Sequence, residues 1–380
     1  MKRLERRLVK NLDFLLLGDV LVLVVIGLLT IFSATRANTA INNGNPYLFV
    51  EKQFISVLIG LVGMALLIGV DYRLSDLAYR LIYGVNILLL VAVILFGTEV
   101  NGAKSWLNLG FYSLQPSEFA KLAVILTLAK HLSEKEKLSS LWDLWSPFLH
   151  ILPPLILILL QPDFGTALVF VFIFFVMLYM AGTNGRLLLG IILTGILLIT
   201  LMFVSHHFFD TPLPLKDYQI KRLTSFINPN ADPRGAGWNV NQAKIAVGSG
   251  RFFGKGLFQN TQGRLGFLPE NHTDFIFAVY CEEWGFVGGF ILLGLFFILI
   301  WRSLRIAVQA KERYGSLIAI GIMAMFTFHV LENVGMNMSI MPITGIPLPF
   351  ISSGGSSMMA NLFAVGYLEN IWARRQKILF

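Results

Sequence analysis

Apolar runs of about twenty residues recur along the whole chain, most of them nearly free of charge. A helix that crosses a bilayer needs about 20 mostly apolar residues. Such runs fall at roughly 13–35, 53–70, 78–97, 115–132, 146–161, 166–182, 187–205, 274–300, 316–340 and 355–373. They predict an all-α integral membrane protein of about ten transmembrane helices, residues 1–380 forming a single polytopic membrane domain. The chain is 56% hydrophobic and 14% charged, against about 25% charged for a soluble domain, which excludes a water-soluble fold. Pro153 and Pro154 are expected to kink the fifth helix. Lys2, Arg3, Arg6, Arg7 and Lys10 precede the first run, as in a signal peptide. The run is too long for a cleaved leader, so it reads as a retained helix.

With ten spans both termini share one side. If that side is the cytoplasm, it collects the N-terminal basic residues with Arg73, Arg80, Lys130, Lys135, Lys137, Arg186, Arg302, Arg305, Lys311, Arg313, Arg374, Arg375 and Lys377. The short outer connections collect Arg36, Lys52 and Lys104. That asymmetry follows the positive-inside rule. It places the chain in a membrane with cytoplasmic termini and a long extracytoplasmic loop, 206–273, between helices 7 and 8. Tyr218, Phe226, Trp238, Phe252, Phe253, Phe258 and Phe267 among its glycines and prolines predict an ordered loop, with a helix at 239–250.

The formal net charge is +8. In a membrane bundle such charge sets topology and meets anionic lipid, so no nucleic-acid partner is expected. Cys281 is the single cysteine, which excludes an internal disulfide and a Cys-based zinc site.

Ionisable residues inside a membrane are costly and mark functional positions. Glu118 and Lys121, three apart, share a helical face. They form either a self-neutralising pair or a basic group held ready for an anionic ligand. Asp274 opens the eighth helix in a cluster with Glu270, His272 and Thr273. It is either a first-turn acid complementing the helix dipole or a carboxylate poised as a general base. One histidine beside acids defines no metal site. Glu282 falls on the face of Asp274 by helical spacing, His329 and Glu332 form another intramembrane pair, and Asp163 reads as a turn or cap acid. The uncharged stretch MPITGIPLPFISSGGSS at 341–357 is broken by prolines and glycines. It reads as a buried or cavity-lining loop, because irregular backbone at membrane depth survives only there.

The stretches NGAKSWLNLG, LQPSEFAK, QPDFGTA, DPRGAGWNVNQAKIAVGSG, GKG, FLPENHTDFIFAVYCEEWGFVGG and GIPLPFISSGG run in order from about residue 100 to 360. Together they resemble the SEDS family (shape, elongation, division and sporulation) of bacterial cell-wall proteins. Within it, GSGRFFGKGLFQNTQ and FLPE look most like the elongation member. The resemblance implies a peptidoglycan glycosyltransferase of the bacterial cytoplasmic membrane that polymerises lipid II. It places the essential acid at Asp274 and further family polar positions at Lys52, Lys104, Glu118, Lys121, Lys244 and Glu270. It also implies a class B penicillin-binding protein and other elongation-complex membrane proteins as partners. Two positions depart from the family pattern: Ser105 where a second basic residue is common, and Ser353 where tyrosine is common.

Joining a sugar 4-hydroxyl to the anomeric carbon of a pyrophosphate-linked donor needs a proton acceptor, for which Asp274 is the candidate. The leaving pyrophosphate needs positive charge, from Lys52, Lys104, Lys121 or Lys244, with or without a divalent cation such as Mg or Mn. The alternative function is a flippase for lipid-linked wall precursors. A scaffold for other wall enzymes is a third class.

Overall fold

The structure is a computed structural model. It describes residues 10–37, 44–100, 103–108, 110, 113–135, 138, 140–209, 220, 226 and 235–375. The elements are α1 (Phe14–Thr35), α2 (Leu48–Gly69), the short α3 (Arg73–Leu77), α4 (Tyr79–Phe96), β1 (Thr98–Val100), β2 (Ala103–Asn108) and β3 (Ser113–Leu114). There follow α5 (Pro116–Ser133), α6 (Leu141–Leu160), α7 (Phe164–Met180), α8 (Gly185–Phe209), α9 (Ala236–Ser249), α10 (Ile276–Gln309), α11 (Arg313–Asn337) and α12 (Gly355–Ala373). Every expected span is a helix. Seven described helices are long and apolar enough to cross a membrane. Of the others, α7 is shorter, and α5 and α12 carry polar side chains that the bundle buries, among them Glu118, Lys121, Asn361 and Glu369.

Helix α2 starts five residues before its apolar run, so Lys52 lies on its second turn rather than in a connection. Helix starts follow local chemistry. Asp13 and Asp163 accept backbone N–H bonds at the N-termini of α1 and α7, Ser140 and Asp143 form a reciprocal capping box on α6, and Pro116 opens α5.

In α11, 72% of the apolar stretch is buried, against 6% in α8. So α11 is an inner helix, packed on α10, α7 and α5, while α8 belongs to the lipid-facing rim. Helix α12 lies along α2, and α4 along α5. Helices α1 and α10 run antiparallel and are tied at both ends. Ser33 donates to Glu283 at one, and Arg302 donates to the Asp13 carboxylate at the other. The steps between the ties, twenty residues on α1 and nineteen on α10, match.

Three local details stand out. Helix α6 is assigned as one helix through Pro147, Pro153 and Pro154. Pro154 has no N–H for the carbonyl of His150; the Tyr83 hydroxyl of α4 donates to that carbonyl instead, at 2.8 Å. The break falls in α10, where Gly285 (φ 63°, ψ −161°) leaves helical geometry. The 251–256 segment lies along the break: Lys255 and Gly256 donate to the carbonyls of Glu282 and Glu283, and Phe286 and Val287 donate to those of Arg251 and Phe252. Gly254, at φ +81°, sits so close to the Glu283 carbonyl that a Cβ would overlap it. Finally, the α4–α5 connection holds antiparallel strands in the order β1-β2-β3, with Glu99 opposite Lys104 and Leu107 opposite Leu114.

The long loop is described only in part. Residues 210–234, Tyr218 included, lie outside the described residues, apart from 220 and 226. From 235 onward the chain is α9 followed by a chain of turns. Val240, Ala243 and Ala246 of α9 pack with Phe275, Ala278 and Val279 at the start of α10. Residues 342–348 are without helix or strand, and Ile343, Ile346, Leu348, Phe350 and Ile351 are buried, as expected of irregular backbone within a bundle.

Candidate functional site

Residues 268–275 form a tight turn ahead of α10. Asp274 precedes the N-cap, Phe275, so it lies outside the helix. The helical spacing that would have aligned it with Glu282 therefore does not apply. Glu282 faces the other way along the chain, into the 255–262 loop. There it accepts from Lys255 Nζ (2.5 Å), Thr261 N (2.9 Å) and Thr261 Oγ1 (2.6 Å).

The backbone on either side of Asp274 is held by distant elements. The carbonyl of His272 accepts from Ser353 N at 2.9 Å, and that of Thr273 accepts from Ser352 Oγ at 2.7 Å. The carbonyl of Asp274 itself accepts from Asn333 Nδ2 at 2.9 Å and Asn337 Nδ2 at 3.1 Å. Asn271, which is buried, donates to the Ala34 carbonyl at the end of α1. Three consecutive carbonyls are thus fixed by α11 and the 341–354 segment. The Asp274 side chain stays partly exposed.

The other acidic and polar members of the cluster are beside it. Glu270 (φ 52°) is exposed and accepts from Thr273 Oγ1 at 3.1 Å. His272 packs edge-on against Phe49 of α2, centroids 4.6 Å apart. Burial pushes its imidazole below the ordinary value, with Glu270 opposing. Gln53 accepts from Gly354 N at 3.0 Å and donates to the Ser352 carbonyl. Lys52 precedes it on α2 and is exposed. Lys52 is three residues from Phe49, which places it on the α2 face that meets the turn.

The remaining lysines lie differently. Lys244 is exposed on α9. Lys104 donates to the carbonyls of Ile94 and Leu95, at 3.0 and 3.3 Å, at the C-terminal end of α4. Lys121 is buried, paired with Glu118 at 2.7 Å and donating to His329 Nε2 at 3.1 Å. His329 therefore partners α5, not its own Glu332, which accepts from Thr344 Oγ1 at 2.7 Å. Asp163 caps α7 as expected. Among the described residues no group of three or more His, Cys, Asp or Glu side chains converges as a metal site.

Sequence reasoning missed Gln53, Asn333, Asn337 and Ser352. The signal was present for the asparagines: two amides four residues apart in a spanning helix are costly unless bonded. For Ser353 the contact uses the backbone N–H, so serine in place of the family's tyrosine leaves it intact.

A family model of cell cycle proteins, comprising FtsW, RodA and SpoVE, matches residues 14–377. The chain belongs to this family, the SEDS proteins. Among its relatives, stage V sporulation protein E of Bacillus subtilis is 40% identical, over 94% of this chain and 96% of its own. The SEDS protein named peptidoglycan glycosyltransferase RodA of Treponema pallidum is 36% identical, over 97% of this chain and 99% of its own. A chain of a solved peptidoglycan synthase complex, described as coordinating polymerization and crosslinking, superposes with a TM-score of 0.78. It is 32% identical and covers 96% of this chain and 98% of its own.

Proposed function

We propose that this SEDS protein is a peptidoglycan glycosyltransferase that polymerises lipid II during cell elongation, with Asp274 as the general base. The observation that carries the reading is the clamp on Asp274: a partly exposed carboxylate on a backbone whose carbonyls are held by Asn333, Asn337, Ser352 and Ser353. Catalysis gains most from groups fixed in place before substrate arrives. The names of the relatives support the reaction class.

The acceptor's 4-hydroxyl transfers its proton to Asp274 as its oxygen bonds to the donor's anomeric carbon. The bond from that carbon to the lipid pyrophosphate breaks, and the configuration inverts. Lys52 and Lys244, both exposed, are placed to meet negative charge on the substrate. Glu270, His272 and Thr273 shape the rim. Lys121 with Glu118 supports the site from within the bundle, and Lys104 by fixing the end of α4. A divalent cation would arrive with the pyrophosphate and add positive charge there.

The reading takes residues 1–380 as one polytopic domain of the bacterial cytoplasmic membrane, with the termini inside and the 206–273 loop outside, as the basic residues imply. A class B penicillin-binding protein supplies cross-linking, in line with the synthase complex that this chain resembles. Elongation rather than sporulation rests on the GSGRFFGKGLFQNTQ and FLPE stretches.

The test is polymerisation of purified lipid II by the co-purified complex, for wild type and Asp274→Asn, with the partner's own activities blocked and folding checked by melting. Polymer from wild type alone is expected. Polymer from both dismisses Asp274 as base. No polymer from either folded complex returns the flippase to the front.

A further inference from the structure

The end of the bundle away from Asp274 gathers three arginines around two tryptophans. The Arg375 guanidinium lies 3.5 Å from the centre of the Trp372 ring, and that of Arg302 lies 5.0 Å from the same ring. Arg302 and Arg305 each lie 5.6 Å from the centre of Trp301. The two indoles thus link the end of α12 to the closing turns of α10.

The acids here do not balance the arginines. Arg302 is buried and spends its guanidinium on Asp13, Nε to Oδ2 at 2.6 Å. Glu369 is buried and accepts from Asp13 N at 2.9 Å. Among the described residues no carboxylate forms an ion pair with Arg305 or Arg375. Burial lowers the Arg375 guanidinium below its ordinary value; the charges of Arg302 and Arg305 push the same way, against Asp13 and Glu369. Even with Glu369 ionised, two acids face three arginines. Arg374 turns elsewhere and donates to the Ile68 and Gly69 carbonyls at the end of α2. Arg305 lies before the last turn of α10, so the negative end of that helix does not account for it.

The surface beside the arginines is apolar. Phe297, Trp301, Leu304 and Val308 of α10 are exposed and recur at helical spacing, one outward stripe that reaches Arg305. An apolar stripe ending in an indole and arginines marks the boundary between acyl chains and head groups. A soluble anion would satisfy the arginines and leave the stripe; a zwitterionic lipid would cover the stripe and leave the charge.

We propose that Arg305 and Arg375 hold the phosphate of an anionic glycerophospholipid of the cytoplasmic leaflet, its acyl chains lying along Phe297, Trp301, Leu304 and Val308. Guanidinium groups suit a phosphodiester because each presents paired N–H donors. The lipid fastens α12 to α10 at the end opposite the Asp274 turn. The leaflet follows from the cytoplasmic placement of the termini; the binding itself is independent of the reaction at Asp274.

The experiment uses the purified full-length chain in an uncharged detergent, with phosphatidylglycerol and phosphatidylcholine of identical acyl chains added in equal amounts. Native mass spectrometry counts the lipids retained. A single retained phosphatidylglycerol is expected, preferred over phosphatidylcholine about tenfold, and excess inorganic phosphate should not displace it. Arg305→Gln with Arg375→Gln should abolish the preference. Arg80→Gln with Arg186→Gln removes the same charge from other exposed positions on the cytoplasmic side and should keep it. Equal retention of the two lipids by the wild type, displacement by phosphate, an unchanged preference in the first double variant or an equal loss in the second overturns the site. The wild-type comparisons decide the matter if the first variant does not fold.

Discussion

Asn333 donates one side-chain amide to two carbonyls, that of Asp274 at 2.9 Å and that of Ile346 at 2.9 Å. An amide has two N–H donors, and here both ends of the site hang on the same one. Asn333→Ala should lower the polymerisation kcat about tenfold, with little change in KM, because the carboxylate loses its position rather than its substrate. Melting should fall by no more than one or two lost hydrogen bonds explain, about 1–3 kcal/mol. Steady-state rates and melting of the same preparation check both. A KM effect alone would contradict the positioning role.

Ser352 and Ser353 should behave differently although they are adjacent. Ser352 Oγ donates to the Thr273 carbonyl and accepts from Leu348 N at 2.8 Å. Ser353 contributes its backbone N–H. Ser352→Ala should therefore cost about 1–2 kcal/mol and reduce the rate, while Ser353→Ala should be close to neutral. Parallel melting and polymerisation assays separate the two.

Glu118 and Lys121 are 3% and 2% exposed. Glu118→Ala leaves a buried ammonium without its anion, an expected loss of about 3–5 kcal/mol. The double replacement Glu118→Leu with Lys121→Met should recover most of the melting temperature. If it also restores full polymerisation, the pair serves the fold alone. If it melts normally but is inactive, Lys121 serves the reaction.

Gly254 and Gly248 give a backbone contrast. A Cβ at Gly254 would overlap the Glu283 carbonyl at a φ of +81°, whereas nothing lies within 4 Å of one at Gly248. Gly254→Ala should be strongly destabilising. Gly248→Ala, inside α9, should be neutral or stabilising by up to about 1 kcal/mol. Denaturation of the two variants in the same detergent decides it.

Burial lowers the affinity of His272 for protons in the folded state. The unfolded chain then binds protons more readily, so stability is complete above the ordinary histidine value of about 6.5. It declines as the pH falls below that, until the lowered folded value is passed. Glu270 opposes the shift and moderates the slope. His272→Phe keeps a ring against Phe49 and should flatten melting between neutral pH and about pH 5. An unchanged slope would assign the acid sensitivity to other groups.

The sequence by itself determined the architecture. Apolar runs of spanning length are a local property, and each became a helix where it stands. The acid-rich cluster at 270–274, though not its lying outside the helix, the loop helix, expected at 239–250 and found at Ala236–Ser249, and the buried irregular segment before α12 were legible for the same reason: composition and helix punctuation act over a few residues. Tertiary structure alone decided which polar groups meet. Lys121 and His329 are 208 positions apart, Ser352 and Thr273 79, and Asn333 and Asp274 59. Helical spacing had paired His329 with Glu332 and Glu282 with Asp274, and both pairings failed. Spacing orders side chains only while the helix continues, and α10 starts after Asp274. A buried polar group takes whichever partner the packed bundle brings within hydrogen-bond distance, and its costly burial enforces that choice.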